Sequence, residues 1–168
     1  MTDTPFRAPI GEDMRSPRAP RLLAGRGTYT DDVSAARIAH VAYLRSPYAH
    51  ARIVAIDRDV ATSAPGVLLV ASGVEISEDC ASWRGTHDLF PALVAAEQPP
   101  FAIDRVCWHG EPVVAVVAET RAEAEDAVEL IEVQWEEFPP VADAATALSG
   151  PAIHPELGGN IGFETTVE

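Results

Sequence analysis

From Ile38 to Trp135 short apolar runs alternate with turn signals, a pattern that predicts strands interleaved with short helices. Ile38-Ala-His-Val-Ala-Tyr-Leu44 reads as a first strand. Arg45-Ser-Pro-Tyr-Ala-His50 is a proline-containing connection, and Ile53, Val54, Ala55 and Ile56 mark a second strand. Asp57 stands where it can cap a short helix over Arg58 to Ser63, which Pro65-Gly66 ends. Val67 to Ala71 is an unbroken apolar run, which fits a strand in a central position. After the turn signal Gly110-Glu-Pro112, the run Val113-Val-Ala-Val-Val117 predicts a buried strand. Thr120 followed three residues later by Glu123 forms a capping box, with Ala124, Ala127, Val128 and Ile131 at helical spacing behind it. A helix from about Arg121 to Leu130 follows. Ile131, Val133 and Trp135 alternate with Glu132, Gln134 and Glu136, the mark of a half-exposed strand. Asp143 to Leu148 reads as a last short helix closed by Gly150. The fold class is mixed α/β, without an internal repeat.

Two stretches lack this periodicity. Met1 to about Gly27 reads as an irregular arm, because Pro5, Pro9, Pro17 and Pro20 remove backbone donors, while Arg15, Arg18, Arg21 and Arg26 make it locally basic. Ser77 to Pro100 reads as a long loop with one short helix at Pro91 to Ala96, and loops of this length in compact domains are usually functional or mobile. The organisation is thus an arm over 1–27, a domain over 28–150 and a tail over 151–168.

Composition narrows the function. The chain has 168 residues, 12 basic and 26 acidic, for a net charge of −14. That length makes one domain, and the acidic balance argues against non-specific nucleic-acid or anionic-membrane binding, which require a basic footprint. Every basic residue is Arg, a coding bias of the kind a GC-rich bacterial genome produces, and without Lys there is neither a Schiff-base nor a P-loop lysine. Cys80 and Cys107 are too few for a disulfide framework, and no charged-then-apolar leader opens the chain. The expectation is a soluble, cytoplasmic protein.

Candidate chemistry is sparse. Gly25-Arg-Gly27 has two glycines at dinucleotide-motif spacing, but Thr30 stands at the third position and the pair precedes the first strand, so a tight turn explains them better. Cys107 and His109 would share one face of a strand, with His50, Cys80 or His87 able in principle to join them. No CxxC or HxxxH spacing enforces that convergence. The carboxylates from Glu123 to Glu137 fall on solvated faces. Asp31, Asp32 and Glu111 sit beside glycine-containing turns, where a carboxylate binds backbone amides or an arginine. Ser46, before Pro47, reads as a turn residue and not as a nucleophile.

Taken together, several stretches resemble the N-terminal α/β-hammerhead domain of the molybdenum-containing hydroxylase large subunit, the family of xanthine dehydrogenase, aldehyde oxidase and aerobic carbon monoxide dehydrogenase. They are Arg21-Leu-Leu-Ala-Gly-Arg-Gly-Thr-Tyr-Thr-Asp-Asp32, Leu44-Arg-Ser-Pro-Tyr-Ala-His-Ala-Arg-Ile53, Ala64-Pro-Gly-Val67, Asp104 to Glu119, the helix from Ala122 to Leu130, and Ile153-His-Pro-Glu-Leu-Gly-Gly-Asn160. Order and spacing agree from about Arg15 to Phe163, whereas Ser77 to Pro100 falls outside the match, and Arg18-Ala19 stands where the family has an acidic pair.

The resemblance implies an α/β-hammerhead fold and a large parent enzyme. In that family later domains hold molybdopterin and the catalytic glutamate, and iron-sulfur and flavin (FAD) subunits complete the complex. No position of this chain matches a catalytic, cofactor-binding or metal residue of the family. The chain stops at Glu168, about where the cofactor-binding region would begin, so the expectation is a non-catalytic domain or split subunit that helps to enclose the active site. Arg26, Gly27, Tyr29, Arg45, Tyr48, His50, Gly110 and Glu111 are the candidates for contact with other domains. The alternative is a stand-alone interaction or small-ligand-binding module that kept the fold without the enzyme. An independent enzyme using Cys107 and His109 is a third reading.

Overall fold

A computed structural model describes residue 11 and residues 16–88 and 92–166. The chain divides into two compact units, one ending at Ile38 and one beginning at Ala39.

In the first unit the arm is not wholly irregular. Ala19–Leu23 forms a one-turn helix, α1, with Pro at its start. Proline costs nothing there, because the first-turn amides lack intrahelical partners in any case. A 3₁₀ turn follows at Thr30–Asp32, where the Asp32 carboxylate accepts the Tyr29 amide at 2.9 Å.

The second unit carries two three-stranded sheets. Strands β1 (His40–Arg45), β3 (Val67–Ser72) and β7 (Pro112–Ala118) make the first, in the order β1-β7-β3. Strands β2 (Ala51–Asp57), β6 (Arg105–Val106) and β8 (Glu132–Glu137) make the second, in the order β6-β2-β8. All pairings are antiparallel. A two-stranded ribbon joins β4 (Trp83–Arg84) to β5 (Glu97–Gln98). The proline-containing connection at 46–50 therefore carries the chain from one sheet to the other.

β7 is central and its Val113, Val114 and Val116 are fully buried, as its apolar run predicts. β3 is not central. It lies at the sheet edge with Leu68 and Leu69 exposed, because an unbroken apolar run reads the same for an interior strand as for an edge strand with a bulge, here at Leu68. The free side of β3 is blunted at one point: Arg58 Nη1 donates to the Val70 carbonyl at 2.9 Å. The helix α4 (Arg121–Glu129) packs on this sheet through Ala124 and Ala127, and its capping box forms as expected, with Thr120 Oγ1 accepting the Glu123 amide and Glu123 Oε2 accepting that of Thr120. Val133 and Trp135 on β8 face inward and their glutamate neighbours outward, as the alternation requires.

Four further local expectations change. The helix over Arg58 to Ser63 contracts to α2 (Asp59–Thr62); Asp57 accepts the Asp59 amide but does not cap in the expected frame. Within the supposed loop from Ser77, the chain begins in a helix, α3 (Gly73–Asp79). The helix at Pro91 to Ala96 does not form over the described residues 92–96; there the Val94 amide donates to the Gly162 carbonyl at 2.7 Å, so the segment satisfies its backbone with a distant partner. Asp143 to Leu148 is a chain of turns, with Thr146, Ser149 and Gly150 each donating to the carbonyl three residues back. Pro139, Pro140 and Pro151 leave it too little length to nucleate an α-helix.

Glu75 fixes the α3 terminus. Its Oε2 accepts both the Ser72 amide and the Ser72 hydroxyl at 2.8 Å, and its Oε1 accepts from Arg58 Nη2 at 2.7 Å. The Arg58 guanidinium first, and then the Ser72 amide, hold its carboxyl down at about 2 from an ordinary 4.5. A depressed folded-state value means that the ionised carboxylate contributes stability above pH 4.5 and loses it as pH falls toward 2. Glu75→Gln is expected to lower stability by about 1 kcal/mol at pH 7, allowing for solvent screening of a pair this exposed. The deficit should shrink in urea titrations as pH falls from 4.5 toward 2, where the wild-type carboxyl also becomes neutral.

Candidate functional site

Two sequence stretches singled out above meet in space at the end of β1 and the turn into β7. Arg45 Nη1 donates to the Gly110 carbonyl at 2.9 Å, the Ser46 amide to the Glu111 carbonyl at 2.9 Å, and the Gly110 amide to the Ser46 carbonyl at 2.9 Å. The Gly110 backbone, with φ of 85°, takes the left-handed conformation that glycine tolerates. Ser46 is buried, and its hydroxyl accepts the Tyr48 amide at 3.0 Å and donates to the Tyr48 carbonyl at 2.9 Å. It is the turn residue that its place before Pro47 predicts.

Glu111 closes the clamp from inside. Only 4% of the residue is exposed, and its Oε2 accepts the Cys107 amide at 2.6 Å. Burial pushes its carboxyl above the usual range, against the opposing pull of the Cys107 and Trp108 amides and of Arg105. His50 is buried as well: its Nδ1 lies 3.3 Å from the Pro139 carbonyl, and its ring meets Phe138 edge-on at 5.1 Å. Tyr48 leans against Trp135 at 5.7 Å. Arg45 lies over the Tyr43 ring at 5.4 Å, and Tyr43 tilts against Phe101.

Of the eight proposed contact residues, Arg45, Gly110 and Glu111 therefore share one hydrogen-bonded turn system. Tyr48 and His50 occupy its continuation toward β8. Arg26, Gly27 and Tyr29 belong to the first unit, where Gly27 lies close to the Tyr29 and Leu22 side chains and Tyr29 is largely exposed.

Cys107 and His109 do not share a strand face, because β6 ends at Val106 and both lie in the turn that follows. Burial first, and then the Glu111 charge, raise the Cys107 thiol, which disfavours the thiolate needed by a metal or a nucleophile. Among the described residues no group of three or more His, Cys, Asp or Glu side chains is placed to hold a metal ion. The two cysteines of the chain are too few to supply the four thiolates of an iron-sulfur cluster, and no chemical step is assigned to them.

Beside this turn, Glu97, Ile103, Arg105, Cys107, Trp108 and Glu156 line a small pocket of about 120 Å³. Arg105 Nη2 donates to Glu156 Oε2 at 2.8 Å, tying the segment after 150 to β6. Asn160, the one asparagine of the chain, fastens the same segment: its Nδ2 donates to the Ala147 and Pro151 carbonyls at 2.8 and 2.9 Å, and its Oδ1 accepts the Ile153 amide at 3.0 Å. Sequence reasoning did not find this staple, although an amide side chain among glycines and prolines was its signal.

The described residues of the second unit form a small α/β domain with two antiparallel sheets and an internally satisfied turn clamp. Residues 24–139 match the model of the aldehyde oxidase and xanthine dehydrogenase a/b hammerhead domain, and the chain belongs to that family. It is 37% identical over 164 residues to the nicotine 6-hydroxylase large subunit of Paenarthrobacter nicotinovorans, a match that covers 94% of this chain and 20% of that protein. With the carbon monoxide dehydrogenase large chain of Hydrogenophaga pseudoflava it shares 31% identity, over 83% of this chain and 17% of the relative. Among solved structures, quinoline 2-oxidoreductase from Pseudomonas putida 86 superposes with a TM-score of 0.83 at 38% identity, covering 94% of this chain and 20% of that one. The chain thus spans about a fifth of the length of these relatives. No helix among the described residues is long and apolar enough to cross a membrane.

Proposed function

We propose that this chain serves as the hammerhead domain of a molybdenum-dependent hydroxylase large subunit, where it supports assembly and helps to enclose an active site built by other parts of the enzyme. The observation that carries this reading is the match over nearly the whole chain to one fifth of large subunits such as nicotine 6-hydroxylase. Relatives named as a molybdenum-binding subunit and as a Cu,Mo-CO dehydrogenase support the metal assignment for the parent enzyme. Molybdopterin then belongs to the remainder of the large subunit, and the iron-sulfur clusters and FAD to partner subunits, in a cytoplasmic complex. The clamp of Arg45, Gly110 and Glu111 acts as a rigid corner, Tyr48 braces it from inside against Trp135, and Arg26 and Tyr29 present side chains toward the neighbouring domains. The substrate class is an aldehyde, a purine or another N-heteroaromatic ring, or carbon monoxide.

The experiment is affinity purification of the native protein from its source, followed by mass spectrometry. Recovery within, or together with, a larger oxidoreductase polypeptide is expected. Recovery of a lone protein binding no such partner would instead favour the stand-alone module.

A further inference from the structure

The sheet β1-β7-β3 has two faces of unlike fate. Its inner face, with Leu44, Val70, Val114 and Val116, joins the core beneath α4. On the opposite face the register aligns Val41, Val117 and Leu69 in one row across the three strands, and Tyr43, Ala115 and Ala71 in the next. Phe101 reaches the Tyr43 end. Ala115 and Ala71 are buried within the chain itself, but the end of the face toward Leu69 is open: Val41 is 50% exposed, Tyr43 46% and Leu69 55%, with the bulged Leu68 beside them at 58%.

Charge sharpens the contrast. The chain has 26 acidic residues, yet none lies in β1, β3 or β7, whereas β8 of the other sheet carries Glu132, Glu136 and Glu137. An antiparallel sheet with a solvated face alternates apolar with polar residues. Here both faces are apolar, as in a sheet covered on both sides. A contiguous apolar patch of this kind marks a contact surface.

We infer that the outer face of the β1-β7-β3 sheet, centred on Val41, Tyr43, Val117 and Leu69, is the seat of the remainder of the large subunit, which buries it by apolar contact. This rests on the functional reading above. The occupant follows from length: in the matched relatives this domain is about one fifth of the chain, so some four-fifths of the polypeptide is available to cover a face that the domain leaves bare. Apart from Arg45, which lies over the Tyr43 ring at one end, the surface is apolar and calls for an apolar counterpart, because a charged one would be desolvated there without partners.

The test uses the assembled enzyme purified from its source, with hydroxyl-radical footprinting read by mass spectrometry. Tyr43 should be oxidised at least about tenfold more slowly in the assembly than in the same polypeptide unfolded in urea, because a covered ring loses the access that an open face leaves it. A slowing of only about twofold, the value for a half-exposed ring, would overturn the inference while leaving the functional reading intact. In parallel, Leu69→Glu should cut recovery of the assembly at least about tenfold by placing a charge in an apolar contact, while Val60→Glu on exposed α2 should not. Equal recovery of both variants would overturn it. If the wild type is found as a symmetric dimer of this chain with Tyr43 protected, a second copy is the occupant and the inference fails. A wild type recovered with no larger polypeptide refutes the functional reading itself.

Discussion

Gly73→Ala is expected to cost about 3 kcal/mol of folding stability, because the added methyl has no room and its neighbour cannot step aside. A Cβ built at Gly73 would lie 2.0 Å from the Ala102 carbonyl oxygen and 2.8 Å from its carbon, which are backbone atoms and not the end of a flexible side chain. Ala102 is itself pinned, since it is buried and its amide donates to the Pro112 carbonyl at 2.9 Å, where β7 begins. Relief of the clash must therefore move α3, the 101–102 segment or the start of the central strand. Urea unfolding should show a lower midpoint with an unchanged slope. Gly110→Ala is a contrasting case: nothing stands within 4 Å of its added Cβ, so only the left-handed backbone is strained and about 1 kcal/mol is expected.

Glu111→Ala is expected to have the second large effect, about 2–3 kcal/mol, because it leaves the Cys107 amide without its acceptor in a buried site and opens a void. Hydrogen exchange should accelerate over 107–111, and also over 45–48, since the Arg45–Gly110 and Ser46–Glu111 bonds depend on the same turn. Glu111→Gln keeps the shape of the protonated carboxyl and separates the charge from the packing. The Glu111 carboxyl lies above its unfolded value of 4.5, so its contribution to stability is fully present below pH 4.5 and is lost as pH rises through the raised folded value. The stability difference between wild type and Glu111→Gln should therefore narrow as pH rises above 4.5. A difference that widens over that range would show that the amide bonds outweigh desolvation.

How far these features can be read from sequence depends on whether the signal is local. β7 and α4 are legible because a run of five apolar residues after Gly110-Glu-Pro112 and a Thr120–Glu123 capping box specify them without distant help. The same capping signature, Ser72-Gly-Val-Glu75, opens α3. It was masked by the aperiodic stretch that follows and by a glycine at the first helical position, whose reason is the tertiary contact with Ala102. The edge position of β3 and the pairing of Val94 with Gly162 are settled by partners far along the chain, to which local propensity is blind. The candidate site divides in the same way. Glycine and proline spacing points to Arg45, Ser46, Gly110 and Glu111 one by one, but only the fold shows that they bond to each other.

The most direct measurement is the molybdenum content of this chain's native assembly, determined by mass spectrometry of the metal on material resolved by size. About one molybdenum atom per copy of the chain, in a particle several times heavier than 17.9 kDa, is the expected result if the domain is one fifth of a large subunit. A particle of that same small mass, free of molybdenum, would contradict it.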